Sequence, residues 1–228
     1  MPEPGIAFTI AGTAFAEAAA AYKKINPNGI FHLDGVQTFL KQPMPLKNID
    51  LASVSAHKIG GVKGCGALFV RPGLQIRPLV FGGNQESGMR SGTEGMPQIA
   101  AFMEACAYRK ANMAEAAAHM AALKTRLIEG VKAIGGTINT PEHSADHVVN
   151  LSMCKGRSEV YIRILSDRGY YVSGGSACAR GKQSHVLAAM RLDKKNIDAA
   201  LRVSFCPETP AEAVDGFIEA LADAAKMF

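Results

Sequence analysis

Three short apolar runs constrain this chain more than any other feature. Residues 29–34 (GIFHLD), 49–55 (IDLASVS) and 64–70 (GCGALFV) each have the length of one buried strand, with glycine-containing turns around them. An alanine-rich stretch, residues 13–24 (TAFAEAAAAYKK), precedes them; it ends in lysines and is followed by INPNG, the pattern of a helix with a Pro/Gly stop. A helix followed by buried strands and glycine turns points to an α/β sheet covered by helices. Residues 82–95 (GGNQESGMRSGTEG) read as a polar loop, and residues 97–130 as a long helix leading into a second domain. Beyond it the pattern is α+β. A strand lies near HVVNLSM, a helix runs through SEVYIRILSDRG, and further strands are expected at YYVSG and LRVSF. The last helix opens on a capping box, with Thr209 as N-cap, Pro210 at the first helical position and Glu212 at the third. His185 is expected to cap the helix that follows it.

Charge and cysteine usage narrow the function. The net charge of +5 is scattered, without a block of like sign, which argues against nucleic acid as a partner and suits a phosphorylated cofactor or an anionic substrate. No apolar run has the length of a membrane span, and no basic segment followed by an apolar one opens the chain, so a cytoplasmic protein is expected. The five cysteines (65, 106, 154, 178 and 206) are widely spaced, with no CxxC pair and no metal-ligand spacing. They read as free thiols, with no metal.

Asp34 and Lys58 each stand at the end of an apolar run, where α/β sheets place ligand-binding residues. A carboxylate can hold a protonated ring nitrogen and an amine can bond an aldehyde carbon, which is the pairing that pyridoxal phosphate requires. From spacing alone, a surface lysine and a strand-end aspartate are the more ordinary reading. Gln37 lies three residues past Asp34, within reach of a cofactor's phenolic oxygen, and Ser55 and His57 flank the lysine as donors for a phosphate.

Taken together, HLDGVQTF and IDLASVSAHKIGGVKGCGALFVR, followed by GGNQESGMRSGTEGMPQIAAF, VSGGSACARGKQSHVLAAM and ALRVSF, resemble the cysteine desulfurases. These are the NifS-like branch of the class V aminotransferases, among the fold-type I pyridoxal phosphate enzymes, and the resemblance covers about residues 30–228. It implies an α/β fold: the C-terminal portion of a large pyridoxal phosphate domain (1–110), then a smaller α+β domain (111–228) with the catalytic cysteine loop. It also implies roles for single residues. Lys58 bonds the cofactor aldehyde, Asp34 faces the pyridinium nitrogen, Gln37 the phenolic oxygen, and Ser55 and His57 the phosphate. Thr93 reaches the phosphate in a neighbouring subunit, hence a homodimer. Arg202 clamps the carboxylate of L-cysteine, since a guanidinium offers two parallel donors. Cys178 takes the sulfur as a persulfide, leaving L-alanine, and passes it to an acceptor such as an iron–sulfur scaffold protein.

The family's chains run longer ahead of the aspartate motif. They carry there a glycine/threonine turn for the phosphate and a histidine or aromatic ring stacked on the cofactor; residues 1–29 match neither. The chain is therefore expected to be a C-terminal part or one half of a split enzyme. A selenocysteine lyase or another class V aminotransferase is an alternative, as is an inactive fragment serving as a dimer or partner-binding module.

Overall fold

The computed structural model describes residues 7–8, 14–174 and 184–228. The chain divides into two compact units, Met1–Ala114 and Glu115–Phe228.

In the first unit, helix α1 (Ala14–Ile25) forms from the alanine-rich stretch, with Glu17 in its first turn and Lys23 and Lys24 in its last, each charge matched to the helix dipole. Asn26, Pro27 and Asn28 end it. At Gly29 a Cβ would lie 2.2 Å from the Tyr22 hydroxyl, so a larger residue there would have to displace that ring. The sheet has the order β1-β2-β3-β4, from Ala7–Phe8, His32–Asp34, Leu51–Ser55 and Gly66–Val70. The first three strands are parallel and β4 runs antiparallel to β3. Alternation sorts the faces. Leu33 and Ala52 are fully buried against Phe15 and Ala19 of α1, together with Phe31 and Ile49. His32, Asp34, Ser53 and Ser55 fall on the opposite face; Asp34 lies beside Ser53 in register, and His32 Nε2 is 2.7 Å from Ser53 Oγ.

Helix α2 (Met96–Ala133) contributes its first part to this unit and its second part to the other. In the second unit Met120, Leu123, Leu127 and Val131, spaced three and four residues apart, form one buried stripe. They share a core with Val149 and Leu151 of β6 (Val148–Ser152) and Leu201 and Val203 of β7 (Ala200–Ser204). Tyr161 and Leu165 of α3 (Ser158–Asp167) join it, as do Val214, Phe217 and Leu221 of the last helix, α6 (Ala211–Ala225). The sheet β5-β6-β7, with β5 at Thr137–Ile138, is antiparallel throughout. Two short helices, α4 (His185–Ala189) and α5 (Lys194–Asp198), lie between α3 and β7 in the chain.

Three local expectations change. The YYVSG run forms no strand; only Ser173 pairs, in a single bridge to Arg202. The N-cap of α6 is Pro210, one residue later than the capping box places it, because the Thr209 hydroxyl accepts the Cys206 amide instead (3.0 Å). Ser184, not His185, caps α4, its hydroxyl accepting the Leu187 amide at 3.4 Å.

Candidate active site

The C-terminal ends of the parallel strands β2 and β3 are adjacent, and each delivers polar side chains at that edge of the sheet. β2 ends in Asp34, half-buried, whose Oδ1 accepts the Val36 amide at 3.1 Å. That bond starts a tight turn over residues 35–42. Within it the Phe39 amide donates to Gly35 O (2.9 Å), and Thr38, 3% exposed, anchors the turn. Gln37 is left exposed on it, its Oε1 accepting from Lys41 Nζ at 3.2 Å.

β3 runs into a single 3-10 turn, Ala56–Lys58. Ala56 (0% exposed) and Ile59 (3%) are buried in one cluster with Phe102 of α2, so the two residues between them are the ones turned outward. These are His57, exposed, and Lys58, half-buried. Ser55 Oγ and His57 Nδ1 are 2.8 Å apart. The turn closes at Gly60, whose φ of +91° suits glycine, and at Gly61, whose amide donates to Ala56 O at 2.9 Å. A Cβ on Gly61 would meet that same oxygen at 3.0 Å. Arg109 of α2 donates to Ile59 O at 3.0 Å, directly behind the turn.

Asp34, Gln37, Ser55, His57 and Lys58 thus stand on two neighbouring strand ends. As a donor set they fit pyridoxal phosphate: an acceptor for a protonated ring nitrogen, an amide for a phenolic oxygen, a hydroxyl and an imidazole for phosphate, and a primary amine for the aldehyde. Thr93 lies elsewhere in this unit, exposed on the loop ahead of α2. That loop folds on itself through Ser91 Oγ to Gly83 O (2.8 Å).

Arg202 belongs to the second unit. Its strand neighbours are Asn150 on β6 and Ser173, to whose carbonyl its amide donates at 2.6 Å. The side chains of Leu201 and Val203 enter the core, so that of Arg202 faces the other side of the sheet, and no described carboxylate pairs with it. Cys178 falls within residues 175–183, outside the described residues.

The sequence reading passed over two charged residues that shape this unit. Asp50 is treated there as part of a strand, yet it is a 1% exposed carboxylate with three partners. Lys41 drew no attention, though burial first, then Lys58 and Arg109, bring its pKa down to about 8. The charge inside the apolar run IDLASVS was the available signal for Asp50. For Lys41 the only signal was its place four residues after Gln37, which in a helical turn sets the two side chains side by side.

Residues 8–217 match the family described as Aminotransferase class-V. A cysteine desulfurase of Gluconacetobacter diazotrophicus is 34% identical over 217 residues, covering 92% of this chain and 54% of its own length. The cysteine desulfurase IscS of Methanosarcina thermophila is 37% identical over 195 residues, covering 83% of this chain and 48% of its own length. Among solved structures, a NifS-like protein superposes with a TM-score of 0.88 at 33% identity, over 100% of this chain and 63% of the other. A NifS-like protein from Rickettsia africae gives a TM-score of 0.85 at 27% identity, over 97% and 62%. The fold is that of these NifS-like structures, as the resemblance implies. The chain spans about half the length of the curated relatives it matches.

Proposed function

Since the chain belongs to the class V aminotransferase family, we propose that it carries the lysine-bearing part of a pyridoxal phosphate-dependent cysteine desulfurase. The observation that supports this most is the Lys58 turn: a primary amine projecting between two buried anchors at the end of β3, on the strand paired with the one that ends in Asp34.

Pyridoxal phosphate, when bound, supplies an electron sink that loosens the bonds around an amino acid's α-carbon. On this reading residues 1–110 are the partial cofactor domain, and residues 111–228 the small domain with the cysteine loop. Asp34 keeps the ring nitrogen protonated, Gln37 donates to the phenolic oxygen, and Ser55 and His57 hold the phosphate. Lys58 would hold the cofactor by its aldehyde, and its Nζ amine would carry protons during turnover. Thr93 serves the phosphate in a second copy of the chain, so the active unit is a homodimer. Arg202 orients L-cysteine by its carboxylate. The Cys178 thiolate would take the substrate sulfur as a persulfide, the C–S bond of L-cysteine breaking with its electron pair left on the carbon that ends in L-alanine, and would hand that sulfur to an acceptor protein of iron–sulfur cluster assembly.

The test uses the purified chain, alone and mixed with the separately expressed N-terminal half of a longer relative. After incubation with pyridoxal phosphate and borohydride, a mass increase on the Lys58 peptide is expected, and sulfide release from L-cysteine with reductant. Neither signal in either sample would reject the proposal. Amino-acid turnover that survives Cys178→Ala undiminished would favour an aminotransferase instead.

A further inference from the structure

A glutamine amide has two ends that look alike in shape and act oppositely, a carbonyl oxygen that accepts and an NH2 that donates. A phenolate oxygen needs the donor. In this structure the choice is made by a neighbour. Lys41 Nζ lies 3.2 Å from the Gln37 side chain, and an ammonium can only donate, so it must hold the oxygen Oε1. The Gln37 NH2 is then the end with no hydrogen bond among the described residues.

Resting on the reading of Gln37 as the side chain that faces the cofactor's phenolic oxygen, we propose that Lys41 is its positioning residue, fixing the amide with its donor end outward.

The turn that holds the pair is itself fixed. Thr38 is buried at its centre, Phe39 packs edge-on against Phe102 of α2 with ring centroids 6.3 Å apart, and Leu40 joins the cluster around Ile59. The charged groups bearing on Lys41 are Lys58, on the turn after β3, and Arg109, on α2. Cys106, on the same helix, adds no charge, because burial pushes its thiol up. Burial and the two cations bring the Lys41 pKa from 10.5 to about 8. Above that pH the amine is neutral and can accept as well as donate, so it no longer dictates which end of the amide it holds. The lock on Gln37 is present below about pH 8 and released above it.

Two measurements test this. The first needs no cofactor: the Gln37 side-chain amide resonances are followed by NMR from pH 6 to 10 in the ¹⁵N-labelled chain. In the wild type they are expected to shift with a midpoint near 8. In Lys41→Met they should be displaced and flat with pH, while the backbone spectrum elsewhere is unchanged. In Lys41→Arg, which stays charged, they should keep the low-pH position throughout. Gln37 resonances that ignore both substitutions overturn the inference. The second measurement follows the pH midpoint of the visible absorption of bound pyridoxal phosphate, with the borohydride adduct on Lys58 as proof of binding. Lys41→Met and Gln37→Ala should move that midpoint in the same direction by about one pH unit, the size expected for one charge-supported hydrogen bond, with Lys41→Arg restoring it. If Gln37→Ala moves the midpoint and Lys41→Met does not, the positioning role is wrong while the reading of Gln37 stands. If Gln37→Ala has no effect, or no adduct forms, the reading of the site fails and the inference with it.

Discussion

Lys23 of α1 lies 2.5 Å from Asp50, the residue just ahead of β3, and that carboxylate is 1% exposed. The same group accepts the Phe31 amide and Arg71 Nε, each at 2.7 Å. One buried charge therefore ties α1, the entry to β2, β3 and the exit from β4. Asp50→Asn keeps the shape and removes the charge. Because it leaves Lys23 facing a neutral group inside the unit, a loss of about 3 kcal/mol is expected, toward the lower end for a broken buried pair since Lys23 and Arg71 still reach water. Urea unfolding of the two chains at pH 7 measures it.

The same carboxylate sets an acid dependence. Burial alone would raise its pKa, but the bonds from Lys23, the Phe31 amide and Arg71 outweigh that and hold it below the ordinary carboxylate value. A depressed folded pKa gives stability that is fully present above the unfolded value, about 4, and is lost as pH falls through the folded one. The gap between wild type and Asp50→Asn should therefore stay constant from pH 7 to about 5 and close below about 4.

Gly130, inside α2, tests packing against propensity. In an open helix, alanine for glycine stabilises by roughly 1 kcal/mol. Here a Cβ would lie 2.3 Å from Ile218 Cδ1 and 3.0 Å from its Cγ1, on α6. A β-branched side chain has few rotamers with which to withdraw. Overpacking, at about 1–3 kcal/mol, wins, and Gly130→Ala should lower the melting temperature; a rise would show that α6 shifts freely.

Tyr161 is fully buried, and its hydroxyl has no partner among the described residues. Burial, with Cys154 nearby, raises its pKa, so the group stays a neutral, unsatisfied donor. Tyr161→Phe keeps the ring stacked near Phe228, at 5.1 Å between centroids, and removes the orphaned group. Stability should be unchanged or higher by about 1 kcal/mol. A loss above that size in thermal unfolding would reveal a bound water on the hydroxyl.

On the proposed function, a substitution at Arg202 separates charge from geometry in binding the substrate carboxylate. Arg202→Lys keeps the positive charge on β7 but loses the planar fork. With the complemented enzyme, KM for L-cysteine should rise roughly 10- to 100-fold, the worth of a charge-assisted hydrogen bond, with a smaller change in kcat. An unchanged KM would remove Arg202 from the carboxylate site.

Much of the frame was legible from local pattern. The runs ending in Asp34 and Ser55 read as strands because each is a short apolar run with the length of one buried strand, set among glycine-containing turns. The reading failed where a side chain had a choice of partner. Thr209 carries every mark of an N-cap, yet its hydroxyl serves the Cys206 amide in a preceding turn. The YYVSG run has the composition of a strand, but only Ser173 finds an edge to pair with.

By itself, then, the sequence determined which chemical groups stand at the strand ends, since period and turn chemistry are local: Asp34 closes one run and Lys58 the turn after the next. Tertiary structure alone decided what those groups and their neighbours face. Asp50 meets Lys23 from 27 positions earlier and Arg71 from 21 positions later in the chain. Lys41 feels Lys58 and Arg109 only because the turn after β2, the turn after β3 and α2 pack on one cluster. Coulomb and hydrogen-bond energies depend on distance in space, and only the folded chain sets that distance.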